Sequence, residues 1–223
     1  MRRSIGLGAL LLAVLILGWS QGWLDGGSSS RGPEQEAGGT IVDKQPAIFA
    51  EHTFDPAAPP ADMPPLGEGE EAECDSDFRS NAQVSGKVKR LDGGDAIITV
   101  TRVKMTLQLN INVWVPTGAT ERVVEHEQGH RQISEAFYQT ADKVAERIGT
   151  AYIGKRVSVG GGGDLDAECR KTLEQLGAAI TAEYNGQLNP GSAQQRYDDL
   201  TDHSRNSVAA TEAVLQALKE IKR

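Results

Sequence analysis

The apolar positions in the second half of the chain recur with a period that changes once. From Val103 to Val115 they alternate: Val103, Met105, Leu107, Leu109, Ile111, Val113 and Val115 fall on one face at period two. Such alternation marks a strand with one buried and one wet face. Upstream, "QVSGKVKRL" has the Val-rich composition of a second strand, and the "DGGD" between the two is a turn signal. An antiparallel sheet with one buried face is the expected first layer.

After Pro116 the period lengthens. Thr117 or Thr120 can cap a helix, and Val123, His126/Glu127, His130, Ile133, Phe137, Val144 and Ile148 follow at helical spacing. They predict one long amphipathic helix. A second, over about 164–187, carries Leu165, Cys169, Leu173, Leu176, Ile180 and Tyr184 on one stripe. A third, from about 193 to the end, carries Tyr197, Leu200, Ser204, Val208, Val214, Leu215, Leu218 and Ile221. Strands followed by helices imply an α+β fold over 74–223, with the antiparallel sheet packed against the long first helix and two further helices beside it. The glycine run "VGGGGD" before the second helix lacks the Lys and Ser/Thr of a phosphate-binding loop and reads as a flexible turn.

Upstream of Cys74 no such periodicity holds. Seven of the nine prolines lie between Pro33 and Pro65, beside "DGGSSSRG" and the acidic "GEGEEAE", so 25–73 reads as a disordered tether unable to bury enough apolar surface to order itself. Within it, "TIVDKQPAIFAEHTF" has the apolar residues to form a short strand or to dock on the domain. Residues 1–24 have Arg2 and Arg3, then an apolar run from Ile5 to Leu17, then small and polar residues, which is the layout of an export signal. That run is shorter than the roughly 20 residues a membrane span wants, but no A-x-A cleavage site follows it. A cleaved signal peptide and an uncleaved anchor through residues 5–24 therefore both fit. Either way the domain is placed outside the cytoplasm, secreted, periplasmic or tethered to the membrane.

The net charge of −8 becomes −10 without residues 1–24, whose only charged residues are two arginines. With no basic cluster in the exported part, nucleic acid is excluded as a partner. Cys74 and Cys169 are the only cysteines, and an even count in an exported chain is most simply one disulfide, with Cys169 as a metal ligand the lesser alternative.

The stretch "VVEHEQGHRQI" changes the picture most. His126 and His130, four apart on a helix, present ring nitrogens to one point, while Glu127 is turned by about a third of the helix circumference. Two imidazoles in the stripe of Ile133 and Phe137 are costly unless something satisfies them. A zinc ion does so, and a neighbouring carboxylate can then act as general base and acid in hydrolysis. A catalytic zinc usually takes three protein ligands. His203, in "YDDLTDHS", is the leading candidate for the third, with Glu168 and Asp166 as alternatives; His52 lies in the tether. Asp198 or Asp202 is expected to accept from the outer nitrogen of a ligand histidine. Tyr197 either donates its phenol to a developing oxyanion or simply packs in the core.

The run "ITVTRVKMTLQLNINVWVPTGATERVVEHEQGHRQI", followed by "YDDLTDHS", resembles the bacterial family labelled domain of unknown function 922, regarded as predicted secreted zinc-dependent proteases. Trp114 matches that family's tryptophan before the helix, and His126, Glu127, Gly129 and His130 match its H-E-x-G-H. Tyr197, Asp198, Thr201 and His203 match its late Y-D-x-x-T-x-H element, with Ser204 where the family has glycine. The resemblance covers about 74–208. It implies a zincin-like fold, Zn2+ held by His126, His130 and His203, Glu127 as general base, and a peptide or protein substrate in the cell envelope. Two other readings fit the same residues: a non-catalytic zinc-binding or structural envelope module, and a zinc hydrolase of a non-protein envelope amide.

Overall fold

The computed structural model describes residues 38–67 and 69–221. The expected export segment 1–24 and the first part of the expected tether, to residue 37, lie outside the described residues. The described residues fall in one compact unit.

The sheet is organised around one strand. β4, Ala96–Pro116, pairs over residues 96–114 with β3, Glu73–Arg90, in an antiparallel hairpin closed by residues 91–95. Its other edge is covered piecewise: β5, Arg156–Val159, pairs antiparallel at 96–99, β1, Gly39–Lys44, parallel at 102–107, and β2, Ile48–Phe54, parallel at 110–116. The sheet is therefore mixed, which corrects the expectation of an antiparallel one. The long hairpin left one edge of β4 without partners for its N–H and C=O groups, and two segments from the expected tether supply them. The tether reading of 25–73 is corrected accordingly, because its described part contains two strands and a structured connection. Both strands fall in the apolar stretch 40–54 and its flank, which was expected to form a short strand or to dock on the domain; its local pattern does not encode the edge it pairs with.

The predicted apolar stripe is the core. Val103, Met105, Leu107, Leu109 and Val113 are wholly buried, and they meet Tyr138, Ala141, Ala145, Ile148, Ile180 and Tyr184 from the helices. Nearer the start of β4 the buried positions switch to Ala96, Ile98 and Val100. The switch coincides with a bulge: Ser85 pairs with Arg102 but Gly86 with Val100, so Thr101 is the extra residue and the strand changes which face it shows the core.

The three expected helices are five. α1, Glu121–Gln139, is capped by the Thr120 hydroxyl, which accepts from the Val123 N–H. It stops at Thr140, whose N–H and hydroxyl both turn back to the Phe137 carbonyl, and α2, Ala141–Tyr152, follows against β1 and β4. One apolar stripe runs through both, and the interruption at Thr140 leaves no mark on it. α3, Leu165–Gln187, matches its expected span and is capped by Asp164. It lies on β3 at Gly177, where a Cβ would press into the Ala82 carbonyl. The last expected helix divides into α4, Gly191–Thr201, and α5, Ala210–Ile221, separated by a left-handed turn.

α1 lies on the sheet through Ser134, whose hydroxyl donates to Ser76 Oγ (2.8 Å), and Tyr138, whose hydroxyl donates to Gln45 O (2.7 Å). On its other side Ile133 packs with Ala193, Tyr197, Ala213, Val214 and Ala217 of α4 and α5. The helix bearing both motif histidines is thus held between two layers. Among the described residues no helix is long and apolar enough to cross a membrane.

Cys74 and Cys169 are both free thiols, so the expected disulfide is not formed. Cys74 pairs with Val113 near one end of β4, whereas Cys169 packs with Ala96 and Ile98 near the other. At about 3.3 Å per residue the two are tens of ångströms apart along the strand, beyond any S–S bond. Burial, with the Glu127 charge second, pushes the Cys74 thiol well above its ordinary pKa.

Candidate metal centre

The two motif histidines meet one turn apart on the inner face of α1. Their rings stand nearly perpendicular, 4.7 Å between centroids, with the Nε2 atoms 3.1 Å apart. α4 approaches from above through Tyr197, whose ring stacks on His126 at 5.0 Å. The approach is close enough to explain Gly129 in the middle of a helix, because a Cβ there would overlap the tyrosine hydroxyl. That hydroxyl donates to the His126 carbonyl (3.1 Å), and the whole side chain is buried. Of the two roles expected for Tyr197, this contact is the packing one: it seats α4 on α1, with the hydroxyl engaged by the His126 carbonyl.

The outer nitrogens of both histidines are occupied by α4. Thr201 Oγ1 donates to the Tyr197 carbonyl (2.8 Å) and so faces His126 Nδ1 (3.3 Å) as an acceptor. The Gln194 amide donates its N–H groups to His130 O and Ser134 Oγ (3.0 Å each), leaving Oε1 to accept from His130 Nδ1 at 2.6 Å. Both rings are thereby held with the proton on Nδ1 and a lone pair on Nε2. The expected carboxylate partners are replaced by an amide and a hydroxyl. Asp198 lies instead on the inner side, its Oδ1 2.9 Å from His130 Nε2 and 3.5 Å from His126 Nε2. Asp202 ends α4 in a left-handed conformation.

Asp198, His126 and His130 therefore converge three acceptor atoms on one point, and acceptors this close repel unless a cation stands among them. A single proton is one solution. Burial opposes it on both rings and holds His126 below its ordinary pKa, but the hydrogen bond and charge of Asp198 outweigh burial at His130 and push it up to about 9. A metal ion is the other. His203 adds the fourth atom: its Nδ1 is buried without a hydrogen-bond partner, 3.7 Å from Asp198 Oδ1 and 3.6 Å from Glu70 Oε1. His126, Asp198 and His203 offer ligand atoms all within 4.8 Å of one another, a set that can hold a metal ion. Donors 2.0–2.1 Å from a tetrahedral ion stand about 3.3 Å apart. The separations of Asp198 Oδ1 from the three histidine nitrogens, 2.9 to 3.7 Å, bracket that value.

Glu127 is buried beside this cluster rather than in it. Burial first, then the Glu73 and Glu70 carboxylates, push its pKa up to about 8, against the lowering charge of His130. Glu73, at the start of β3, is raised to about 7 by burial and by the charge of Glu70, with which it shares a hydrogen bond. A cavity of about 40 Å³ opens between His126, Glu127 and His203 on one side and Gly69–Ala72 on the other.

The structure thus brings His126, Glu127, His130 and His203 near one another with Tyr197 behind them, and the set whose ligand atoms all lie within 4.8 Å is His126, Asp198 and His203 rather than the expected three histidines. It places Asp166 with Arg90 (2.7 Å), and Glu168 and Cys169 on the same end of α3, away from the cluster. His52 stacks on Trp114 at 4.0 Å, packing β2 against the end of β4. Sequence reasoning missed Asp198 as an inner donor, Gln194 and Thr201 as outer partners, and Glu70 and Glu73 as neighbours. The first three carried a signal, since 194, 198 and 201 recur at helical spacing beside Tyr197. Compared with family models, curated proteins and solved structures, the chain matches none.

Proposed function

We propose that the chain is an exported zinc-dependent peptidase of the family its two motifs resemble. The observation that carries this reading is the convergence of three acceptor atoms and the buried His203 Nδ1 on one point, with a protonatable carboxylate beside it. His126, His130 and His203 would hold the ion, with Asp198 as their neighbour or fourth ligand, and three nitrogens suit zinc. A zinc ion in such a site supplies a water acidified toward neutral pH and polarises the carbonyl under attack. Glu127, buried beside the cluster, takes the proton from the attacking water and delivers it to the leaving amine. Gln194 and Thr201 keep the two imidazoles in the ligating tautomer throughout. The export segment supports a substrate among proteins of the cell envelope.

One observation favours a second reading. Asp198 Oδ1 is in contact with all three histidines, and four protein donors describe a closed, structural zinc site. Here the metal only ties α4 to α1. Glu127 separates the two readings, because ligation does not need it.

Wild type and Glu127→Gln are to be assayed for bound zinc and for hydrolysis of an unstructured protein. Stoichiometric zinc in both, with hydrolysis lost at least a thousandfold in the variant, supports the peptidase. Zinc in both with no hydrolysis by wild type leaves the structural reading, and wild type without zinc overturns both.

A further inference from the structure

We propose that the proline-rich connection between β2 and β3 forms a specificity pocket for apolar side chains of the peptide substrate, a proposal that rests on the peptidase reading. A cavity of about 700 Å³ lies beside the metal pocket, well within the 300–1,000 Å³ of ordinary ligand sites. Its wall is Pro56, Pro59, Pro60, Met63, Pro64 and Pro65, and its floor is Phe54 with the turn 116–120 that launches α1. The lining is mostly carbon, and none of these side chains carries a charge.

Two features make it part of the site rather than a surface dent. First, it adjoins the metal pocket, because Glu70 and Glu71 line both cavities. A chain whose carbonyl sits at Glu127 would pass these two residues to enter it. Second, it is preformed. Proline rings fix φ along the wall, the Asp55 carboxylate accepts from the Ala57 N–H, and the Ala58 N–H donates back to the Asp55 carbonyl. The floor is tied to β2 where the Thr117 N–H and hydroxyl both donate to the Phe54 carbonyl (2.8 and 3.1 Å). Beyond the junction, Arg205 donates to the Gly69 carbonyl (2.8 Å) and Glu70 accepts from the Gly67 N–H (2.9 Å). A wall held this way loses little freedom when a ligand enters, which favours binding.

The junction also sets what the pocket refuses. Two glutamates at its inner end repel an acidic residue placed next to the scissile bond, while the apolar interior gives a charged side chain no partner. The substrate class is therefore a peptide with bulky apolar residues on this side of the cleaved bond and no acid adjacent to it.

The test uses the full-length, zinc-loaded protein. Binding of acetyl-Gly-Phe-Leu-Gly-amide and of its counterpart with Glu in place of Leu is measured by calorimetry on Glu127→Gln, alone and combined with Met63→Glu or Leu66→Glu. Leu66 is exposed, so its replacement leaves the fold intact, and zinc content and circular dichroism check both variants. Expected is at least tenfold tighter binding of the apolar peptide, lost in either combined variant. Equal binding of the two peptides, no binding of either, or no effect of both replacements overturns the pocket. Cleavage sites of wild type in a mixed peptide library separate this from the underlying reading. Cleavage without apolar preference overturns the pocket alone, whereas the binding preference without cleavage overturns the peptidase alone.

Discussion

Asp198 draws three histidines around one oxygen, and the protein without metal must neutralise that arrangement with protons. His130 is raised to about 9, Glu127 to about 8 and Glu73 to about 7, all above their values in an unfolded chain. Each therefore contributes stability that is complete below its unfolded pKa and lost as pH rises through the folded one. The chelated protein is expected to lose stability between about pH 5 and pH 9, with the lowered pKa of His126 offsetting part of the loss in the acid half of that range. At about 1.4 kcal/mol for each tenfold change in proton affinity, Glu127 accounts for at most a few kcal/mol of that loss. Thermal unfolding with chelator at each pH should show a flatter profile for Glu127→Gln than for wild type between pH 5 and 8. Parallel profiles would show that Glu127 ionises as it does in water.

The element that completes the cluster is the end of α4. Asp202, His203 and Ser204 have φ of 47°, 49° and 69°, three consecutive non-glycine residues in the left-handed region. This turn is what brings His203 back to Asp198, and it is the reason the expected single last helix is two. Each such residue costs on the order of 1 kcal/mol, a strain that the surrounding contacts must hold. The Asn206 side chain donating to Leu200 O (2.7 Å) is one of them. Ser204→Gly should raise stability by roughly 1 kcal/mol, read as an increase in Tm of a few degrees, without loss of metal binding. A lower Tm would mean that the Ser204 side chain stabilises the turn by more than its backbone strain costs.

For the whole molecule the unexpected feature is how much depends on the segment before Cys74. β1 and β2 complete the edge of β4, Phe54 is buried, and Glu70 and Glu73 stand beside the histidine cluster. A chain beginning at residue 38 should unfold cooperatively with nearly the stability of the full one. A chain beginning at residue 57, which lacks both strands, should be destabilised by several kcal/mol or fail to fold, as circular dichroism and denaturant titration would report. Equal stability of the two would reduce β1 and β2 to ornaments of the sheet.

Where the fold was legible in advance, one stretch of chain held the whole pattern. The alternation in β4, the Asp164 cap of α3 and the one-turn spacing of His126 and His130 are local, because side-chain direction follows the period of the element that carries it. "YDDLTDHS" was legible as a partner for the same reason, since its residue types suit ligation wherever they lie. Long-range choices left no such trace. The parallel pairing of β1 and β2 answers an open edge created by another hairpin, and the free cysteines follow from the length of β4 between them. The inner position of Asp198, with Gln194 and Thr201 taking the outer nitrogens, depends on how α4 is rotated against α1. That rotation is set by Tyr197 seated on Gly129, a contact between residues 68 positions apart that no periodicity encodes.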